Sequence, residues 1–191
     1  MGRLVAEPRT GRKPWHRHRR TYIAGKGDVM TSSAIIRTFQ PGDMGHIAGA
    51  QAALYAEGYG WGRPLEILIL ETVAQFLRDY AQGRDQCFVA EMNGRVVGSC
   101  FVTDDGDGRA RLRLVYVDAA ARGQGLGQRL VAECVDFARG AGYRAVWLWT
   151  HAVLESARRI YAGAGFRCIE RFTHDEFGVE VNSENWELIL E

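Results

Sequence analysis

Arg122-Gly123-Gln124-Gly125-Leu126-Gly127 combines residue types that suit a phosphate. Glycines let the backbone approach a ligand closely and take positive φ. Amide N–H groups at the start of a helix then present partial positive charge to an anion. Two familiar phosphate loops do not fit. A P-loop needs G-x-x-x-x-G-K-[ST], and neither lysine nor Ser/Thr follows here. A dinucleotide fingerprint needs G-x-G-x-x-G. Counted from Gly123 its last position is Gln128, and the next strand closes Leu148-Trp149-Thr150-His151 without an acid for a ribose.

The flanks say how such a turn would be held. Arg111 to Val117 alternates and is rich in branched and aromatic residues, which predicts a strand. Leu126, Leu130, Val131, Cys134, Val135 and Ala138 fall on one stripe at helical spacing, so a helix follows the turn. Ahead of this unit, Ala34–Phe39 reads as a strand. Pro41-Gly42 breaks it, and Asp43 is the expected N-cap of a helix to about Glu57. Gly58–Gly62 reads as a loop, and Pro64 starts a second helix with an apolar stripe from Leu65 to Leu77, ended by Gly83. Two strands, Cys87–Met92 and Arg95–Val102, flank Asn93-Gly94, a strong hairpin signal. After the central helix come a strand to Thr150, a short helix over Leu154–Ala164, a strand to about Phe172 and a closing strand over Trp186–Leu190. The order β-α-α-β-β-β-α-β-α-β-β predicts a mixed α/β (α+β) domain over 34–191, with a mostly antiparallel sheet of six to seven strands and about four helices.

Arg122, Gly125 and Gly127 meet the pattern [Q/R]-x-x-G-x-[G/A], and Ala157-x-x-x-Tyr161-x-x-x-Gly165-Phe166 follows in the next helix. Together these resemble the two signatures of the GNAT superfamily of N-acetyltransferases, and the element order is similar to theirs. Within it, Pro41–Met44, Leu54–Trp61 and Leu148–Thr150 look like the acetyltransferase half of bacterial MarR–GNAT fusion regulators. The resemblance implies acetyl-CoA as donor and a primary amine as acceptor, on a small molecule or a protein. It places the cofactor against the backbone of Val115, Tyr116 and Val117 and the turn Arg122, Gly123, Gln124, Gly125, Leu126 and Gly127. Amides near Tyr116 and Val117 would stabilise charge on the thioester oxygen. Tyr161 becomes a cofactor contact and the general acid for the leaving thiolate, its ordinary pKa of about 10 keeping the proton in place. One departure stands out: where the family often has Asn, seven residues before the tyrosine, this chain has Leu154, with Ser156 the nearest polar stand-in.

The base stays open between Glu57, after the first helix, and His151, where strands four and five would splay. Tyr55, Tyr59 and Trp61 suit an aromatic wall for the acceptor, or packing between the first two helices. Arg111 and Arg113 share a strand face, either as solvated charges or to grip an acidic group on the acceptor. A CoA-binding module without turnover is the alternative function.

Bulk properties narrow the field. At 191 residues the chain suits one domain, and no apolar run nears a membrane span of about 18 residues. Cys87, Cys100, Cys134 and Cys168 are far apart, which argues for reduced thiols in a cytoplasm and against zinc. Asp104–Gly108 lacks the glutamate of a calcium loop, so no metal is expected. Residues 1–30 hold eight Lys/Arg and two acids, giving +6 of a net +1 and leaving −5 on the other 161. Residues 1–33 read as a disordered basic arm or an overlong start with Met30 as initiator. The acidic remainder gives no case for nucleic acid. A homodimer is the family's common state.

Overall fold

The computed structural model describes residues 34–190. The basic-arm and Met30 readings fall on 1–33, outside the described residues. The elements follow the expected order: β1 (Ile35–Thr38), α1 (Asp43–Tyr59), α2 (Arg63–Asp79), β2 (Gln86–Met92), β3 (Arg95–Asp104), β4 (Arg109–Val117), α3 (Leu126–Gly140), β5 (Ala145–His151), α4 (Glu155–Gly163), β6 (Arg167–His174) and β7 (Val181–Ile189). They form one seven-stranded sheet, ordered β1-β2-β3-β4-β5-β7-β6. Among the described strands only β4 and β5 run parallel. The α+β expectation therefore holds, with seven strands and four α-helices among the described residues.

Each face of the sheet has its own core. α3 buries Leu126, Leu130, Val131, Cys134, Val135 and Ala138, the stripe read from the sequence, against Ala90, Val102, Leu112 and Leu148. Burying a side chain of this size contributes roughly 1.5–3 kcal/mol. On the other face α1 and α2 cover Cys87, Val89 and Phe101 with Ile47, Leu65, Ile69, Val73 and Phe76. Alternation along β4 thus aims Leu112 at α3, and its odd-numbered neighbours at α1 and α2.

Several local readings need correction. Gly42, in the left-handed region at φ 100°, is the N-cap of α1, and Asp43 is its first residue. The Asp43 carboxylate instead accepts the Gln40 amide at 2.7 Å and pairs with Arg37 at 2.6 Å, closing the turn rather than the helix end. α1 runs on to Tyr59, which places Glu57 in its last turn and not in a loop. α2 stops at Asp79, before Gly83. β7 begins at Val181, five residues earlier than its apolar end suggests, because buried Ser183 and Glu184 have hydrogen-bond partners inside. Glu184 accepts from Arg158 at 2.8 Å, Arg171 at 3.2 Å and Trp186 Nε1 at 2.8 Å, which ties α4 to the sheet.

β4 is interrupted. Across β3, Ser99 faces Tyr116 and Phe101 faces Arg113, so β4 spends an extra residue between them. Leu114 there has φ 48°, a conformation a bulky side chain rarely takes. The Ser99 hydroxyl donates to the Leu114 carbonyl at 3.0 Å and supplies the partner the bulge removes.

Gly98 is where β3 lies tightest against this segment. A Cβ there would sit 2.8 Å from the Tyr116 carbonyl oxygen and 3.2 Å from Leu130 Cδ1. Gly98→Ala is expected to destabilise the domain by about 1–3 kcal/mol. Urea unfolding with an unchanged m-value but a lower midpoint is the readout; an unchanged midpoint would refute the close fit.

Candidate active site

The bulge opens the sheet. β4 pairs with β5 only from Arg109–Ala145 to Leu112–Leu148. β5 continues to His151 on β7 alone, while Arg113 to Val117 stay paired with β3 alone. The two parallel strands part, and the β5-facing edge of residues 113–117 is left without a ladder. Parallel neighbours that separate leave N–H and C=O groups free for an extended ligand.

Two cavities meet at this gap. The larger, about 700 Å³, lies between Val115–Val117, the turn from Arg122 to Gln128, and the α4 face of Leu154, Ser156, Ala157 and Ile160. The smaller, about 130 Å³, lies under α2 and is lined by Gln51, Tyr55, Trp61, Arg111, Arg113, Trp149, His151, Tyr161 and Phe177 among others. Tyr55, Val115, Leu154 and Ala157 line both.

The turn is built as the sequence implied. Gly123 (φ 78°) and Gly125 (φ 71°) are left-handed, and Gly125 is the N-cap of α3. Arg122 N–H donates to Ala119 O and Arg129 N–H to Gly125 O, but the amides of 123–128 donate to no backbone acceptor among the described residues. Six consecutive free amides at a helix start fit a diphosphate. Gly127 has a second reason to be glycine: a Cβ would stand 2.6 Å from Ile160 Cδ1, where α3 meets α4. Ser156 lines the larger cavity, with its hydroxyl accepting from Arg159 at 3.1 Å. Gln124 is exposed and outside the larger cavity's lining, so only its amide belongs to the turn.

Tyr161 is 4% exposed and lines the smaller cavity. Burial, with the neighbouring Tyr55 phenol adding, pushes its pKa well above the usual value. The phenol therefore carries its proton at neutral pH, which a donor role requires. Trp61 is buried between Tyr59, stacked at 5.0 Å, and His151, edge-on at 4.7 Å. Tyr55 and Trp61 line the smaller cavity, and Tyr59 lies at the larger one. The aromatic wall and the helix packing are therefore the same cluster. Glu57 is exposed and lines neither cavity, and no carboxylate lines the smaller one.

His151 is the last residue of β5, not a residue beyond it. Its Nδ1 lies 2.8 Å from Ser183 Oγ, and Ser183 Oγ lies 2.9 Å from His174 Nε2. The Glu176 amide donates to His174 Nδ1 at 3.2 Å, so the proton of His174 sits on Nε2 and goes to Ser183. The buried Ser183 hydroxyl then donates to His151 Nδ1, which leaves the His151 proton on Nε2. A ring in that tautomer offers a donor there, not a lone pair. Sequence reasoning missed Ser183 and His174 because they meet His151 only through β6–β7 pairing. It missed Gln51 and Phe177 because neither stands in a motif.

The Acetyltransferase (GNAT) family pattern matches residues 52–166, and the chain belongs to that family. It is 30% identical over 118 residues to N-acetyltransferase 8F1 of Rattus norvegicus, covering 59% of this chain and 53% of the relative. The chain thus spans about half the length of the curated relatives it matches. Its fold is that of the ribosomal-protein-alanine N-acetyltransferase from Brucella melitensis, at TM-score 0.68 and 23% identity, covering 82% of this chain and 99% of that one. It is also that of yncA from Salmonella typhimurium, whose structure holds its cofactor acetyl-CoA, at TM-score 0.68 and 22% identity over 83% of this chain and 94% of that one. No helix among the described residues is long and apolar enough to cross a membrane.

Burial, with the charge of His174 adding, lowers the His151 pKa from 6.5 to about 4. As pH falls from 6.5 the unfolded chain takes up this proton first. Stability from the neutral ring is full above 6.5 and is lost down to about pH 4, about 3 kcal/mol in all. NMR titration should show a His151 midpoint near 4, and His151→Gln should flatten the fall in urea stability between pH 6.5 and 4. A midpoint at 6 or above would contradict the buried placement.

Proposed function

We propose that the chain transfers an acetyl group from acetyl-CoA to a primary amine by direct attack of the amine on the thioester. One observation carries the reading: an unpaired stretch of β4 leads into a turn of free amides, with a buried phenol beside the gap. Family membership and the acetyl-CoA in a structure of the same fold support it. The turn 122–127 and the start of α3 hold the pyrophosphate through backbone N–H groups. The free edge of Val115–Val117 pairs with the pantetheine amides. Its N–H groups also receive the charge that builds on the thioester oxygen, worth roughly 2.7–4 kcal/mol per donor.

Tyr161 gives its proton to the departing thiolate. Arg111 and Arg113 disfavour a second cation in the smaller cavity, so the acceptor binds as the neutral amine. No carboxylate in that cavity is then required to take a proton before attack. The Nε2–H tautomer makes His151 a donor, and water takes the proton released after attack and returns it to the Tyr161 phenolate. Glu57 has no part. The likeness of Leu54–Trp61 to bacterial MarR–GNAT fusions supports an acetyltransferase module of that kind.

A second reading, a CoA-binding module without turnover, is favoured by Leu154. It puts an apolar side chain at the junction of the two cavities, at the position where the family resemblance implies Asn. Free-thiol release across an amine panel separates the two: binding of acetyl-CoA by calorimetry with no thiol release from any amine selects the second. In the first, Tyr161→Phe is expected to lower kcat by about 10²-fold or more with KM little changed. Unchanged kcat in that variant would remove Tyr161 as the acid.

A further inference from the structure

The smaller cavity contains two cations that the fold does not neutralise. Arg109, Arg111 and Arg113 alternate along β4 and leave the same face of the sheet. Arg109 pairs with Glu187 at 3.3 Å. Arg111 and Arg113 make no ion pair or hydrogen bond with a described residue, and both line the cavity. Asp105 acts on both through space but makes no ion pair with either, and it already accepts the Trp147 indole N–H at 2.6 Å. The Arg111 guanidinium carbon lies over that indole, 4.2 Å from its centroid, a cation–π contact that attracts the charge and leaves the guanidinium N–H groups without an acceptor among the described residues. Burial, with Arg113 adding, lowers the Arg111 pKa to about 10, so the side chain stays charged at neutral pH. Trp149 lines the same cavity, and its buried Nε1–H has no acceptor among the described residues.

Unpaired, half-buried charges are unfavourable until an anion meets them. The diphosphate does not: its free amides are at the turn, in the other cavity. A planar guanidinium fork matches a carboxylate, and a space of about 130 Å³ admits a small group beside apolar Leu65, Leu68 and Ile69. We propose that the acceptor is an amino carboxylate, a small molecule with a primary amine, an apolar body and a carboxylate that Arg111 and Arg113 hold. The proposal rests on the acetyl-transfer reading and names its substrate class.

The test compares acetyl-CoA turnover on L-phenylalanine, L-phenylalaninamide and phenethylamine, and on L-leucine, L-leucinamide and isopentylamine. Within each set only the carboxylate changes the anionic character. For at least one set kcat/KM is expected to be about 10–100-fold higher for the free acid, mostly through KM, the range for hydrogen bonds to a charged partner. Arg111→Gln and Arg113→Gln should each bring the ratio toward one. Independently of turnover, hydrocinnamate, which has the carboxylate and no amine, is titrated calorimetrically into the full chain with CoA present. Its affinity should fall by about 10-fold or more in both variants. Because Arg113→Gln removes a charge with no ion pair and no ring beneath it, its urea midpoint should stay or rise; a fall would point to a structural role and overturn the assignment. Equal use of acids and amides in both sets, or a preference that survives both substitutions, overturns the carboxylate site and leaves acetyl transfer standing. Thiol release from no acceptor, with hydrocinnamate binding still lost in both variants, supports the carboxylate site while removing the enzymatic reading. Failure of hydrocinnamate to bind, with no turnover, overturns both.

Discussion

The departure of β4 from β5 after Leu112–Leu148 is the constraint on which the site depends. Strand edges bury their polar groups by pairing, and an unpaired interior edge is unfavourable unless something else occupies it. Here the separation is prepared on the far side of β4. An extra residue at Leu114 turns the strand, and the Ser99 hydroxyl compensates the carbonyl that the bulge leaves out of register. The strain of a leucine at φ 48° is held by packing on both faces of the sheet. Both cavities follow, one on each side of the opening.

The division of labour between the two faces explains the chemistry each cavity offers. α3 and α4 bring backbone dipoles: free amides at the start of α3, and a glycine-to-isoleucine contact that lets α4 approach closely. The cavity under α1 and α2 is lined by side chains: aromatic rings such as Tyr55 and Trp149, the Tyr161 phenol carried by α4, and Arg111 and Arg113 from β4. A diphosphate is the same in every donor molecule, so backbone recognition suffices for it. An acceptor has to be distinguished from other amines, and that falls to side chains. The Glu184 network with Arg158, Arg171 and Trp186 couples the two, since it fixes the helix that carries Tyr161 to the strand that carries Ser183.

The order of elements and the α3 stripe were legible because they rest on local periodicity. So was the turn 122–127, since glycine at positive φ and free amides at a helix start are properties of a few adjacent residues. Tyr161 was legible through its spacing to Gly165-Phe166. The bulge was not: the Arg-Leu alternation passes into an apolar run over Leu114–Val117 that any buried strand could carry, and nothing local marks Leu114 as left-handed. The start of β7 was hidden because its inward residues, Ser183 and Glu184, are polar and become core only through partners on β6, α4 and β5.

Sequence alone therefore determined which residues form a turn of free amides at a helix start and which helix carries the buried phenol, because both are encoded within one or two turns of chain. Only the tertiary structure decided that strands four and five part, that Arg111 and Arg113 end in a shared cavity without counter-ions, that Glu57 stays outside, and that His151 is held by Ser183 as a donor. Each of those depends on what a residue faces across the sheet, and strand pairing joins positions tens of residues apart whose identities place no local constraint on one another.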